Sequence, residues 1–527
     1  MIRSASLWAP LVFAALTLAA CACGEDAPAP TPTTPRVDPS MLEAAMRHQV
    51  AWTDEARASA IAAGTEAITR NQCNRCHVID DVAAAGRSEH CVSCHVFLDH
   101  LPPDDRRYRT LVEHYGEAVI QRYQRNIEHY LIAPDLTSIG ARLRPEWIAE
   151  FIAEPQDLRP MMDETMVRTR LSDADRSAIV RYFAAVARVA DPGEAGASAQ
   201  AIEAPPRPSD EAMAEGRRLF TTHACNTCHM LGNVDLGRSV ADLERAGLPA
   251  RLAPNLRFVR ERIHPDVALQ WILDPQSLHP ETTMPNLHLT SEEATLLRDW
   301  IWHVDPELEP TPAPSTHALP PALDRPVSWE EVKERVLGRI CVHCHMNDHE
   351  RDPGPGHVGG YGWPAAGLRM RTYESLVSGM PCADPLLAPR GGGPVPVGTI
   401  EGERCSVLEP RDEGGIPPLL AVMLLRHDEE PRDRVRPMHD HARAPFVSQR
   451  PGMPMGLPSI PDDELALVRA WIEQGCVGPA EISGMPGIPD GFLVPDGPIA
   501  VNRGCEVRPP ASERPAWATQ PPPAFWH

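Results

Sequence analysis

The chain is 527 residues long, a length typical of three or four domains. Charged residues make up 23% of it and the formal net charge is −22, so a mostly membrane-embedded protein is excluded and sequence-independent nucleic-acid binding is disfavoured. The 58 prolines, about twice the usual share, favour linkers and irregular loops over long helices or a large parallel sheet.

The N-terminus carries an apolar run of fourteen residues, Leu7 to Ala20, which is too short to span a bilayer because that takes ~20 residues. The run predicts a signal peptide over 1–20. It ends in the letters LAAC, which resemble the signal box of bacterial lipoproteins, and this resemblance implies that Cys21 is acylated. We therefore expect a lipid-anchored protein of the cell envelope, facing the periplasm or at the outer membrane, with a Pro-rich tether at 21–40.

Four C-x-x-C-H motifs follow, whereas about 0.02 would occur by chance at this composition. They are CNRCH (Cys73, Cys76, His77), CVSCH (Cys91, Cys94, His95), CNTCH (Cys225, Cys228, His229) and CVHCH (Cys341, Cys344, His345). Two thiols one helical turn apart can bond to the two vinyl groups of one haem, and the adjacent histidine then meets the iron. A zinc ribbon would not explain a histidine after every pair. The motifs resemble those of c-type cytochromes, which implies four covalently attached haem c groups per chain.

Residues 41–190 contain the first two motifs and predict a dihaem module, here called the first segment. A helix-like stretch leads into the first motif, and Ser172 predicts the N-cap of a closing helix that carries Tyr182. The short spacing between the two motifs implies that their haems are neighbours.

The second motif has four histidines near it, His90, His100, His114 and His129, and we expect one of them to be the distal ligand of its iron. The stretch RYRTLVEHYGEAVIQRYQRNIEHYL predicts one helix with His114 and His129 on the same side. The sequence leaves open which histidine binds, and an iron with a vacant sixth position is the alternative.

A linker at 191–209 leads to residues 210–304, which predict a monohaem module, the second segment. The stretches 133–160 and 253–280 align without gaps and share ten of 28 residues, which indicates a duplication. Thr290 predicts the N-cap of a closing helix that carries Trp300.

Beyond a linker at 305–327, residues 328–507 predict a third module, the third segment, and 508–527 a Pro-rich tail. It has one motif, with His343 inside it expected at the surface or against a haem propionate, and a closing segment that carries Trp471. Its other cysteines, expected to form two disulfides, are Cys382, Cys405, Cys476 and Cys505. Of three possible connectivities we favour Cys382–Cys405, which closes a Gly/Pro-rich loop, and Cys476–Cys505, which ties down the tail.

An opening helix, a C-x-x-C-H site and a closing helix with an aromatic residue resemble the class I cytochrome c fold. This implies a mainly α chain of three such modules joined by Pro-rich linkers, the third with a disulfide-bearing irregular insertion. In that family a methionine before the last helix binds the far side of the iron. The matching residues are Met166 for the first motif, Met284 for the third, and Met453 or Met455 for the fourth. We favour Met453 because a proline follows it, as in the family; Met166 departs from that pattern, and two methionines near it compete.

The predicted function is one-electron transfer by a membrane-anchored tetrahaem cytochrome, without a catalytic residue. Redox proteins are the expected partners, and neither nucleic acid nor a small-molecule substrate is expected. Two alternatives stay open. One is a peroxidase-like or small-oxyanion-reducing haem enzyme that uses a vacant second haem, and the other is a haem subunit of a respiratory complex.

Overall fold

A computed structural model of the chain describes residue 43 and residues 48–478 with gaps. The gaps are 87–88, 154, 156–157, 164, 168, 170, 193–203, 310–316, 322, 347–367, 382–403, 411–415, 430–437 and 439–451. The predicted signal peptide, Cys21, Cys382, Cys505 and the predicted tail therefore lie outside the described residues. The described part is mainly helical, as predicted.

The first segment folds around two helices that cross. Its α-helices are α1 (Asp54–Arg70), α2 (Cys91–Asp99), α3 (Arg106–Tyr115), α4 (Glu117–Asn126), α5 (Ile139–Arg142), α6 (Pro145–Ala153) and α7 (Asp173–Ala187), with 3-10 turns at Cys73–Arg75 and Ile127–Tyr130. Ser172 caps α7 by accepting from the N–H of Asp175, as predicted. Helix α1 crosses α7 at Gly64, where an added Cβ would stand 2.3 Å from the Cβ of Tyr182. Only glycine permits this approach.

The single helix predicted around His114 and His129 is wrong. Gly116 has a φ of +88° and separates α3 from α4, so the stretch forms two helices and a 3-10 turn instead. Glycine takes up this backbone conformation at little cost, and it ends the first helix here. His114 and His129 consequently belong to different elements.

The second segment repeats the plan of the first. Its elements are α8 (Asp210–Thr222), a 3-10 turn at Cys225–Thr227, α9 (Val240–Ala246), α10 (Leu248–Leu252), a 3-10 turn at Leu256–Phe258, α11 (Val259–Arg262), α12 (Pro265–Leu273), α13 (Pro275–Leu278) and α14 (Ser291–His303). Thr290 and Glu293 form the predicted capping box of α14. Gly216 meets Trp300 at the crossing of α8 and α14, where an added Cβ would lie 2.5 Å from the Cβ of Trp300.

The third segment departs from this plan at its opening helix. Its elements are α15 (Trp329–Val332), a π-helix (Lys333–Cys341), α16 (Tyr373–Val377), β1 (Met380–Pro381), β2 (Arg404–Cys405), α17 (Pro418–Glu429) and α18 (Asp462–Glu473). The strands pair antiparallel. Val332 stands where the other segments have the crossing glycine, nine residues before the first motif cysteine, and it is fully buried. Trp471 of α18 packs on Trp329 with ring centroids 5.6 Å apart.

The three segments pack against one another. The first and second segments are joined by backbone hydrogen bonds from Arg144 to Arg262 (2.8 Å) and from Asn255 to Leu158 (2.7 Å). Part of the linker predicted at 305–327 contacts both flanking segments, since the carbonyl of Pro306 accepts from Asn233 and the N–H of Val327 donates to Gln474. These residues therefore pack against both segments, and their assignment as a linker stays a prediction.

In the part of the chain that the structure describes, no helix is both long and apolar enough to span a membrane.

Candidate functional site

One large cavity, of about 1400 Å³, reaches all three segments and is lined mainly by apolar side chains. Its wall includes all four motif histidines and seven of the eight motif cysteines: His77, His95, His229, His345, Cys73, Cys76, Cys91, Cys225, Cys228, Cys341 and Cys344. Protein interiors rarely leave voids much larger than a water molecule, so a space of this size indicates a binding site for bulky apolar groups.

Each motif histidine donates its Nδ1–H to a backbone carbonyl. The Nδ1–oxygen distances are 2.9 Å for His77 and Pro134, 2.9 Å for His229 and Pro254, 2.9 Å for His345 and Leu368, and 3.3 Å for His95 and Tyr130. Because a carbonyl only accepts, the proton of each neutral ring lies on Nδ1, and Nε2 carries the lone pair. Metal-binding histidines typically hold their second ring nitrogen in this way.

Burial also keeps these rings neutral. It lowers the pKa of His77, His229 and His345, and it lowers the pKa of His95 to about 4. A neutral imidazole is the form that binds a metal. All four rings therefore have the protonation state and the tautomer of a ligand that binds through Nε2.

The duplicated stretch explains two of these hydrogen bonds. Pro134 and Pro254, the acceptors for His77 and His229, occupy equivalent positions in the two copies. In both motifs the residue before the first cysteine is left-handed, with φ of 58° at Gln72 and 57° at Ala224. The repeat thus supplies both the motif and the carbonyl that orients its histidine.

The thiols of three motifs lie close together. Cys76 and Cys91 are in hydrogen-bond contact, which raises the pKa of Cys76 and lowers that of Cys91 to about 7. Cys344 of the third segment is near enough to interact electrostatically with both. The first, second and fourth motifs are therefore neighbours, although the fourth is about 250 residues away along the chain.

Burial raises the pKa of the other motif thiols that the cavity exposes. It raises the pKa of Cys73 and Cys225 to about 11, and that of Cys341 and Cys344 to about 12. At neutral pH these are uncharged thiols in apolar surroundings.

All four methionines predicted as distal ligands line the cavity: Met166, Met284, Met453 and Met455. Met284 is fixed on both sides of its peptide, because its N–H donates to Thr282 Oγ1 at 3.2 Å and its carbonyl accepts from Gln276 Nε2 at 2.9 Å. The loop that carries Met284 is thereby held against the cavity.

The two candidates in the third segment are anchored differently. The N–H of Met453 donates to the carbonyl of Val422 in α17 at 2.8 Å. The carbonyl of Met455 accepts from the hydroxyl of Tyr130, in the first segment, at 2.6 Å. Met453 is therefore held by its own segment and Met455 by the first segment, at the residue that also accepts from His95.

The histidines predicted as distal ligands for the second motif lie elsewhere. His90 caps α2 by accepting from the N–H of Ser93 at 3.2 Å, and His100 is exposed. His129 is buried beside Asp163, whose N–H donates to its Nδ1 at 3.4 Å. None of these three is among the described residues of the cavity wall, and the side chain of His114 is outside the described part.

The histidine that does meet His95 is His343, inside the fourth motif. It lines the cavity, and its ring centroid lies 5.8 Å from that of His95. His343 is half-buried in the cavity wall and not at the surface, because the fourth motif packs beside the second, and its contact with a propionate stays a prediction. The one signal in the sequence was a histidine in the variable part of a C-x-x-C-H motif.

Buried arginines complete the wall between the first and third motifs. Burial lowers the pKa of Arg262 to about 10, with smaller contributions from Arg159 and Arg142, and it also lowers the pKa of those two. The Nε atoms of Arg142 and Arg262 have no hydrogen-bond partner among the described residues. Buried cations that repel one another favour an anionic ligand, and the propionate groups of haem are carboxylates of this kind.

Only one cysteine of each predicted disulfide lies among the described residues. Cys405 is disulfide-bonded, and the pairing of Met380 with Cys405 in the ribbon brings the chain that leads to residue 382 alongside it. Cys476 is fully buried, and its predicted partner Cys505 lies outside the described residues.

The cavity wall therefore carries groups that suit haem c: oriented neutral imidazoles from all four motifs, both thiols of the first, third and fourth motifs, thioethers, and cations for the propionates. Searches of protein-family models, of curated proteins and of solved structures found no match to this chain.

Proposed function

We propose that the protein is a one-electron carrier with a haem c group on each of its four C-x-x-C-H motifs. The observation that supports this most is the shared cavity, in which all four motif histidines donate Nδ1–H to a backbone carbonyl. When bound, haem iron supplies one-electron chemistry by alternating between the ferric and ferrous states.

The chain's own residues hold and tune these groups. The cysteine pairs would hold these groups covalently, and the carbonyl-bound histidines would bind the iron through Nε2. Met166, Met284 and Met453 are the proposed second ligands of the first, third and fourth sites, and thioether ligation raises the reduction potential. The arginines near the first and third motifs balance propionate charge, and the apolar wall excludes water.

The packing of the motifs supports transfer between the groups. Cys76, Cys91 and Cys344 lie together, so the groups attached there are neighbours. We further propose that Cys21 is the lipid anchor, in the cell envelope, and that the net charge of −22 favours a redox partner with a basic patch. A subunit role in a respiratory complex is compatible with this, and co-purification from the native membrane tests it.

Haem content tests the proposal directly. We expect four haems per chain in the protein made in a host that attaches haem c, measured from the pyridine haemochrome spectrum against protein concentration. Four double variants, with Cys73 and Cys76, Cys91 and Cys94, Cys225 and Cys228, or Cys341 and Cys344 changed to alanine, should each lose one haem and keep three. A wild-type content well below four contradicts the proposal.

A test for catalytic turnover distinguishes an electron carrier from a haem enzyme. In a spectroelectrochemical titration all four haems of a carrier should reduce and reoxidise reversibly, with no steady consumption of hydrogen peroxide or nitrite by the reduced protein. Steady turnover of either would instead favour the haem-enzyme alternative.

A further inference from the structure

We infer that His343 of the third segment is the second axial ligand of the iron held by His95 of the first segment. The inference rests on the proposed function and names a ligand that the local sequence around the second motif does not contain. The two ligands of this iron would then come from two segments that are far apart in the chain.

The geometry of the two rings carries the inference. Their centroids are 5.8 Å apart and their planes differ by 32°. Two imidazoles on opposite sides of one metal, with bonds of about 2 Å each, have centroids about 6.3 Å apart. The observed spacing is about half an ångström shorter than that value, and both rings line the cavity.

The contacts of each ring indicate which nitrogen binds. Nδ1 of His95 donates to the carbonyl of Tyr130, and Nδ1 of His343 lies 3.5 Å from the hydroxyl of Tyr123. The ring of Tyr123 also meets that of His343 edge-on, at 5.9 Å. With Nδ1 engaged in both rings, Nε2 is the ligand atom of each.

Three polar contacts hold the two segments together around these rings. Arg122 of α4 forms a bidentate ion pair with Glu464 of α18, at 2.8 and 3.0 Å. Asp163 of the first segment pairs with Arg426 of α17 at 2.5 Å, and both side chains are less than 5% exposed. Together with the bond from Tyr130 to Met455, they fix His343 opposite His95.

Three of the four local candidates lie away from the described cavity wall, and the side chain of the fourth, His114, is outside the described residues. His90 is a helix cap, His100 is exposed, and His129 is buried against Asp163. Met455 is a further competitor, because its backbone is bonded to Tyr130 beside His95. The test therefore includes it.

The experiment measures carbon monoxide binding to the fully reduced full-length protein, with haem content determined on the same sample. We expect wild type to bind none at the second site and His343→Ala to bind one per chain while keeping four haems. Imidazole added to His343→Ala should restore the six-coordinate low-spin spectrum, and His343→Met should instead raise the potential of that haem, a shift that a merely structural role would not produce. His288→Ala, which removes a histidine outside the described cavity wall, is the matched control and should bind none.

Several outcomes would overturn the inference. They are carbon monoxide binding that is unchanged in His343→Ala, or a site opened by His129→Ala or by Met455→Leu instead. If His343→Ala does not accumulate, His343→Met keeps a ligand at the position, and the potential of one haem should rise. An unchanged set of potentials in His343→Met also overturns it. A haem content below four in wild type counts against the proposed function instead, so the two failures are distinguishable.

Discussion

The site around His229 and the site around His95 are built in different ways. The second segment takes nearly everything for its site from its own sequence. The carbonyl of Pro254 orients His229, Met284 lies in the loop before α14, and Gly216 lets α8 and α14 cross. Each of these features has a counterpart in the first segment, at Pro134, Met166 and Gly64.

The surroundings of His95 come from two segments. Its motif begins an α-helix, whereas the first and third motifs form 3-10 turns. Its carbonyl acceptor is Tyr130, outside the repeat, and the neighbouring histidine ring is that of His343 of the third segment. The second segment's site should therefore respond to changes in helix packing, and the His95 site to changes at the interface between the first and third segments.

The largest effect is expected from Asp163→Ala, which breaks the interface and leaves the second segment intact. Asp163 and Arg426 form a buried ion pair, so the substitution leaves the guanidinium buried without its main counter-charge. We expect a loss of about 3–5 kcal/mol in the free energy of unfolding, measured by urea denaturation. The second haem should also become accessible to carbon monoxide.

An exposed ion pair provides the control for this prediction. Glu66→Ala removes one of the two carboxylate partners of Arg70, in a pair whose side chains are 75% and 51% exposed, and it should leave the free energy of unfolding nearly unchanged. A loss below about 1 kcal/mol in Asp163→Ala would show that the two segments do not depend on the buried pair.

Changes at the crossing glycines should act within one segment. In Gly216→Ala the new Cβ would meet Trp300 Cβ at 2.5 Å, and in Gly64→Ala it would meet Tyr182 Cβ at 2.3 Å. We expect each to lower the free energy of unfolding by about 1–3 kcal/mol through overpacking. Gly86→Ala is the control, since nothing lies within 4 Å of its Cβ position. Equal stability of all three variants would contradict the role given to the helix crossing.

The sequence predicts the self-contained parts well because they depend on local patterns. The caps at Ser172 and Thr290 follow from a side-chain oxygen three residues before an acid, and both are confirmed. The crossing glycine lies nine residues before the first motif cysteine in both segments, and the aromatic residue that it meets lies ten residues after the helix cap. Helix and cap preferences act over a few residues, so they can be read from the sequence.

Contacts between segments could not be read in this way. Neither the position of His343 opposite His95 nor the pairing of Asp163 with Arg426 leaves a periodic signal, because each depends on how whole segments dock. Gly116 argues against one long helix, but whether it adopts a positive φ depends on the tertiary structure.

The smallest expected effect concerns the charge of Arg262, which lies where the second segment meets the first. Arg262 lies near His229, whose pKa it helps to lower, and near Arg159 of the first segment. Its pKa of about 10 leaves it positively charged at neutral pH, and a positive charge near a haem favours the reduced, less positive state. Arg262→Gln should therefore lower the reduction potential of the third haem by an amount on the order of 50 mV, equivalent to about 1 kcal/mol, in a spectroelectrochemical titration.

Arg238→Gln removes an exposed arginine of the same segment and should leave all four potentials unchanged. If Arg262→Gln also lowers the potential of the first haem, the two sites share one buried charge, and the second segment's site is self-contained in its ligands but not in its electrostatics.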